Sequence, residues 1–202
     1  MCIRDRSPII YLNISLYYQP NFATSNELSY NKDVHHQLRF VKRHIENKAA
    51  YDMQDIYPEG YVFLHTIYGL TWCNLIEYLD EKSSIYQEGI EEIRRSVEAV
   101  HSPIAKSTFG RDVPLEYGAF YRGWTNLLLG RQLQIQTERL PEDVEFFKKN
   151  CADIATALRV SESPYLETYA TKTWPADGLM AVASIRLHDE IFEPVYQQDI
   201  QN

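Results

Sequence analysis

Three carboxylates in this 202-residue chain recur at the same address, in Pro58-Glu59-Gly60-Tyr61, Leu115-Glu116-Tyr117-Gly118 and Pro175-Ala176-Asp177-Gly178. Each acid lies one or two residues before a glycine, and Gly60, Gly118 and Gly178 stand 58 and 60 residues apart. Two carboxyl groups held across a substrate bond can work as general acid and general base, or as acid and nucleophile. The same acids at helix starts would also cap free backbone N–H groups and answer the helix dipole, for ~0.3–1 kcal/mol each. Both uses place Glu59, Glu116 and Asp177 at helix N-termini. Only catalysis needs them to converge.

Aromatic residues follow each acid. Tyr61, His65, Tyr68 and Trp72 are spaced four, three and four apart and share one helix face. Tyr117, Tyr121 and Trp124 share a face of a second helix, with Arg122 beside them, and Trp174 immediately precedes a third. Aromatic stripes at helical spacing are core material first. A tyrosine hydroxyl needs a partner, however, so several on one inner face favour a polar, partly wet cavity. The chain holds 15 Tyr and 3 Trp, and flat aromatic faces beside carboxylates suit sugar rings. His65 sits inside the first stripe, where it either moves a proton or serves as a satisfied core histidine. In Trp174-Pro175-Ala176-Asp177, proline sets the entry angle, tryptophan faces the cavity mouth and aspartate stands at the helix start, with Lys172 as an ion-pair partner. A hydrophobic staple with a cap is the plainer account of that motif. No group of histidines and acids has metal-ligand spacing, so no metal is expected. No phosphate-binding glycine loop appears either, and no cofactor is assigned. Ser102 and Ser184 lack the strand-turn-helix setting of a hydrolase nucleophile.

The elements that must position these residues are helical. Residues 7–32 read as a lead-in, within which the apolar run Ile9–Ile14 suggests a buried strand or helix start. From Asp33, Val34, Leu38, Val41 and Ile45 recur at three- and four-residue steps, predicting an amphipathic helix to about Ala50. A helix over about 59–79 is apolar on all sides, the pattern of a central helix. The alternation repeats: amphipathic over 84–101, apolar over 115–136, amphipathic from Pro141, then apolar over about 176–192 after a loop through Pro164. No β-alternation is evident, and the fold class read here is all-α, in helical hairpins with outer and inner layers.

Bulk properties narrow the function. A net charge of −8 without a basic stripe excludes nucleic-acid binding. Mean hydropathy is −0.39, and no apolar run reaches the ~18–20 residues of a membrane span. Cys73 and Cys151 lie among apolar neighbours and read as small buried hydrophobes, and the three cysteines match no zinc pattern. Residues 1–6, Met1-Cys2-Ile3-Arg4-Asp5-Arg6, look like a translated sequencing adapter and are set aside. With an abrupt end at Gln201-Asn202, the expectation is a fragment whose C-terminal half is missing.

Over residues 33–193 the pattern resembles three hairpins of the six-hairpin (α/α) toroid, and 33–202 is read as a partial domain of that kind. In such toroids inner helices line a funnel and outer helices wrap them. A tetratricopeptide solenoid fits less well, its repeat being ~34 residues. The resemblance implies a carbohydrate-active enzyme with Asp177, Glu59 and Glu116 as catalytic carboxylates. It implies substrate contacts from Trp174, Tyr61, His65, Tyr117, Tyr121, Arg122 and Trp124 to a small molecule or oligosaccharide. The same toroid hosts dehydratase-isomerases of small alcohols, the linalool dehydratase-isomerase type. The aspartate-rich metal motifs of terpene cyclases and the zinc set of lanthionine cyclases are absent. A non-catalytic helical-repeat module binding a peptide or partner is the contrasting expectation. Carboxylates gathered within ~10 Å favour the enzyme; carboxylates that each bond only their own helix start favour the module.

Overall fold

A computed structural model describes residues 7–25, 28–163 and 165–201. Residues 1–6, 26–27, Pro164 and Asn202 therefore lie outside the described residues. In chain order the elements are α1 (Ser7–Leu16), β1 (Phe22–Ser25), β2 (Leu28–Asn31), α2 (Lys32–Glu46), α3 (Ala49–Ile56), α4 (Gly60–Ile76), α5 (Ser84–Val100), α6 (Pro103–Lys106), α7 (Gly118–Ile135), α8 (Pro141–Val160), β3 (Glu167–Tyr169), β4 (Lys172–Thr173), α9 (Pro175–Ile191) and α10 (Gln197–Gln201). The fold is all-α, with two short antiparallel hairpins, β1–β2 and β3–β4, inserted between helices.

The three helices that open with an acid and a glycine form one layer. α4 packs against α7, and α7 packs most extensively against α9. The second layer covers them, with α2, α3 and α5 on α4 and α8 against both α7 and α9. The apolar character of α4, α7 and α9 explains their place. Trp72, Ile76, Leu128, Leu133 and Ile185 are fully buried on them, and Ile93, Phe147 and Ile154 enter from α5 and α8. α7 and α9 approach to backbone distance because Gly123 has no side chain. A Cβ there would lie 2.6 Å from the Ala181 nitrogen.

The outer layer is tied down by charge. Glu92 of α5 is buried, yet it pairs with Lys42 of α2 at 2.6 Å and Arg95 at 3.2 Å, and accepts the Tyr68 hydroxyl at 2.9 Å. Glu88, one turn earlier, holds His35 and Arg39 of α2. A buried carboxylate is tolerable only with such partners. The fourth-step spacing of Glu88 and Glu92 thus clips α2 onto α5. Capping is local as well: Asn31 accepts from the Asp33 and Val34 N–H groups, and Ser83 from Tyr86.

Three expectations need correction. The helix expected to run from 33 to Ala50 stops at Glu46, because Lys48 adopts a left-handed φ of 70° and α3 restarts the chain in a new direction. The Ile9–Ile14 segment is helical but not buried. Among the described residues α1 buries none of its side chains; the chain just beyond it is joined to α2 through Asp33, which accepts from the Tyr18 hydroxyl and, at 2.7 Å, from the Asn21 N–H. Strands are present where none was expected. Cys73 and Cys151 are, as expected, fully buried, and burial pushes each thiol up to about 12, which keeps both protonated and unreactive.

Candidate functional site

The β3–β4 hairpin builds the site. Its sequence, Glu167-Thr168-Tyr169-Ala170-Thr171-Lys172-Thr173, holds three threonines and one tyrosine, residues that favour strands, in a stretch too short to announce itself against helices on both sides. The strand can lie on the start of α7 because two consecutive residues there, Tyr117 (φ 69°) and Gly118 (φ 75°), are left-handed. A Cβ on Gly118 would stand 2.1 Å from the Thr168 carbonyl oxygen, so glycine is obligatory at that contact. Tyr117 carries the strain of a non-glycine residue in that region, held by the Arg111 guanidinium over its ring at 5.4 Å and by Tyr121 at 5.6 Å.

From this strand, successive side chains reach two different helix starts. Thr168 donates its hydroxyl to Asp177 Oδ2 of α9 at 2.5 Å, and Tyr169 donates to Glu59 Oε1 at the start of α4 at 2.6 Å. Asp177 is buried. Burial pushes its carboxyl above the usual range, and the negative charge of Glu59 pushes it further. The Thr168 hydroxyl and the Trp124 indole N–H oppose that rise. The indole faces the carboxylate without closing a hydrogen bond of ordinary geometry. Burial and the charges of Glu59 and Asp177 push the Tyr169 phenol up, so it stays protonated and remains a donor. The site thus holds two carboxyls in electrostatic contact, Asp177 bonded by the Thr168 hydroxyl and Glu59 by the Tyr169 phenol of one strand, with Asp177 biased toward its acid form.

Neither acid caps its helix. Among the described residues, none gives the starts of α4, α7 and α9 a side-chain cap hydrogen bond. Glu116 takes no part in the pair either. It is exposed and salt-bridged to Arg111 at 3.3 Å. Lys172, expected beside Asp177, lies exposed on β4, and Asp177 takes Thr168 instead.

The aromatic residues divide between surfaces. Trp124 packs on Phe63 of α4 at 5.4 Å, and Trp174, 45 % exposed, meets Tyr169 edge-on at 6.0 Å. Phe109 stacks on Tyr169 at 6.0 Å and 9°. Trp124 thus lies beside Asp177, and Phe109 and Trp174 pack on the Tyr169 ring that holds Glu59. The Tyr61, His65, Tyr68 and Trp72 stripe instead faces the outer layer, with Tyr61 against Tyr51 of α3 and Trp72 against His35 of α2. Tyr121 is buried with its hydroxyl on the Val100 carbonyl at 3.0 Å, and Arg122 is buried against Asp153 at 2.7 Å. Tyr117, Tyr121, Arg122 and Glu116 line a separate cleft. Thr168, Tyr169 and Phe109 are the site residues that spacing along the helices did not indicate. The strand-favouring types at Thr168, Tyr169, Thr171 and Thr173 are the one signal for the hairpin, and Phe109 has none.

Burial holds His65 neutral, its pKa lowered from 6.5 to about 4. The folded state therefore resists a proton that the unfolded chain accepts. The stability this provides is complete above pH 6.5 and is lost as pH falls toward 4, by about 3 kcal/mol if the shift is fully expressed. Chemical denaturation at pH 7.5, 6, 5 and 4 is expected to show that loss, and His65→Gln to flatten it. An unchanged slope in the variant would assign the acid sensitivity elsewhere.

Comparison with protein-family models, with curated proteins and with solved structures finds no match to this chain.

Proposed function

We propose that the chain is part of an enzyme that acts on a hydroxylated small molecule, a carbohydrate first, by general acid/base chemistry between Asp177 and Glu59. The observation that carries this reading is the shared hairpin. Two acids 118 positions apart in sequence are joined through Thr168 and Tyr169, and one raises the pKa of the other. Helix capping requires no such bridge. In this proposal Asp177, protonated, delivers a proton to a leaving oxygen. Glu59 takes a proton from the attacking water, or attacks the substrate carbon itself. Tyr169 holds the Glu59 carboxylate in one rotamer, and the exposed Trp174 ring offers a stacking face. The layered order of α4, α7 and α9 beneath their outer helices supports a partial (α/α) toroid as the frame.

The same pair would serve the dehydration of a small alcohol. In that case Asp177 protonates the leaving hydroxyl and Glu59 removes a neighbouring proton. A panel of aryl glycosides and small allylic alcohols separates the two chemistries. Turnover of one class is expected, reduced ~10²–10⁴-fold in Asp177→Asn and Glu59→Gln. Turnover that survives both substitutions would remove the pair from catalysis, and no turnover of either class by the wild type would overturn the reading.

A further inference from the structure

A second cleft lies among α5, α6, α7 and α8, and its charge is opposite to that of the molecule. A cavity of about 170 Å³ is lined by His101, Lys106, Arg122 and Lys149, with Tyr117 and Asn150 among the remaining wall residues. It adjoins a second cavity of about 450 Å³ that shares His101, Lys106 and Tyr117 and adds Arg111. Arg122 and Lys149 share one carboxylate, Asp153, at 2.7 Å each, and Lys106 has no ion pair among the described residues. Three cations against one acid leave two positive charges, because Arg111 and Glu116 cancel each other at 3.3 Å. The chain as a whole carries −8.

Among the described residues, two buried polar atoms in these walls are unpartnered. Arg122, its side chain 10 % exposed, leaves its Nε–H without an acceptor. A buried guanidinium normally uses its whole fork, so an orphaned donor marks a missing acceptor. His101 Nδ1 lies 2.8 Å from the Val97 carbonyl, which assigns the ring proton to Nδ1 and leaves Nε2 a bare acceptor, buried and unpartnered. Burial and the charge of Lys106 both lower the His101 pKa, so the ring is neutral and looks for a donor. The walls therefore call for an acceptor of negative charge and, beside it, a hydroxyl.

We propose that this cleft binds a small oxyanion that carries a neighbouring hydroxyl, a hydroxy acid or a phosphorylated polyol, through Lys106, Arg122 and Lys149. A nucleic-acid backbone is not the ligand, since the cations form a pocket rather than a stripe. The site is separate from the Asp177–Glu59 pair and does not depend on the function proposed for that pair.

The test is thermal unfolding of the full chain titrated with inorganic phosphate and with glycerate, at constant ionic strength. Phosphate also stabilises proteins non-specifically by exclusion from their surfaces, so the reading is taken against Lys106→Gln, a half-buried residue on a four-residue helix whose loss leaves the core intact. A saturable rise in Tm is expected, weakened about tenfold in Lys106→Gln, the value of one charge-assisted hydrogen bond. Asp177→Asn should bind as the wild type does. Tighter binding of phosphate points to a phosphorylated ligand, and tighter binding of glycerate to a hydroxy acid. A rise that fails to saturate and is equal in Lys106→Gln would overturn the site, as would no rise with either probe.

Discussion

Asp177→Asn is expected to lose ~10²–10⁴-fold in turnover and to become more stable than the wild type at pH 8. The sign follows from the direction of the shift. The folded-state pKa of Asp177 lies above its ordinary value of 3.8, raised by burial and by the charge of Glu59. The stability linked to this group is then fully present below pH 3.8 and is lost as pH climbs through the folded pKa. Above that window the folded protein holds a buried carboxylate close to a second one. Asparagine removes the charge and keeps an oxygen for the Thr168 hydroxyl. The stability gap between variant and wild type should open as pH rises and close at low pH. Urea denaturation at pH 4 and pH 8, read beside the activity panel, checks both halves. A variant less stable than the wild type at pH 8 would show that the Asp177 charge is satisfied rather than strained. Tyr169→Phe offers an internal comparison: it removes the donor to Glu59 and leaves Asp177 with Thr168, so it should impair turnover without reproducing the gain at pH 8.

Gly118→Ala is expected to cost about 3 kcal/mol or more. The φ of 75° alone disfavours an L-residue by ~1–2 kcal/mol. The new Cβ would also sit 2.1 Å from the Thr168 carbonyl oxygen, which is backbone and cannot rotate away. Relief requires β3 to lift off α7, and Thr168 and Tyr169 leave with it. The variant should therefore lose the linkage between Asp177 and Glu59 along with stability. Gly178→Ala is the matched control. It belongs to the same acid–glycine repeat, but a Cβ there meets open space. It lies within α9, so alanine should be neutral or gain up to ~1 kcal/mol in helix propensity. Urea melts of the two variants decide the matter. Equal effects would mean that neither glycine is held by its neighbours. The glycine of the repeat thus has different work in each copy. Gly60 is also obligatory, a Cβ there falling 2.4 Å from the Met53 carbonyl carbon of α3.

The helices were legible because they are set locally. The three- and four-step recurrence of Val34, Leu38, Val41 and Ile45 depends only on 3.6 residues per turn, and α2 follows it. The all-round apolar stretches after Glu59, Glu116 and Asp177 became the inner layer because a helix without a polar face gains most from being packed between others. Pro141 and Pro175 each occupy the first turn of a helix, where a missing N–H costs nothing. Less visible were features decided by one residue's backbone state. The left-handed turn at Lys48 divides α2 from α3, and nothing in the pattern of 33–50 announces it.

The residues by themselves determined an all-α chain, the alternation of amphipathic and apolar helices, and the placing of an acid at the start of each inner helix. Each of these rests on interactions within a few positions along the chain. Which acids meet was decided only in three dimensions. Glu59 and Asp177 join because a seven-residue hairpin crosses the left-handed start of α7, whereas Glu116, equal to them in the repeat, turns outward to Arg111. The aromatic stripe of α4 likewise faces α2 and α3, not the carboxyls. Helical periodicity says which residues share a face, but the neighbour that the face meets is chosen by contacts distant in sequence, and those exist only once the helices have packed.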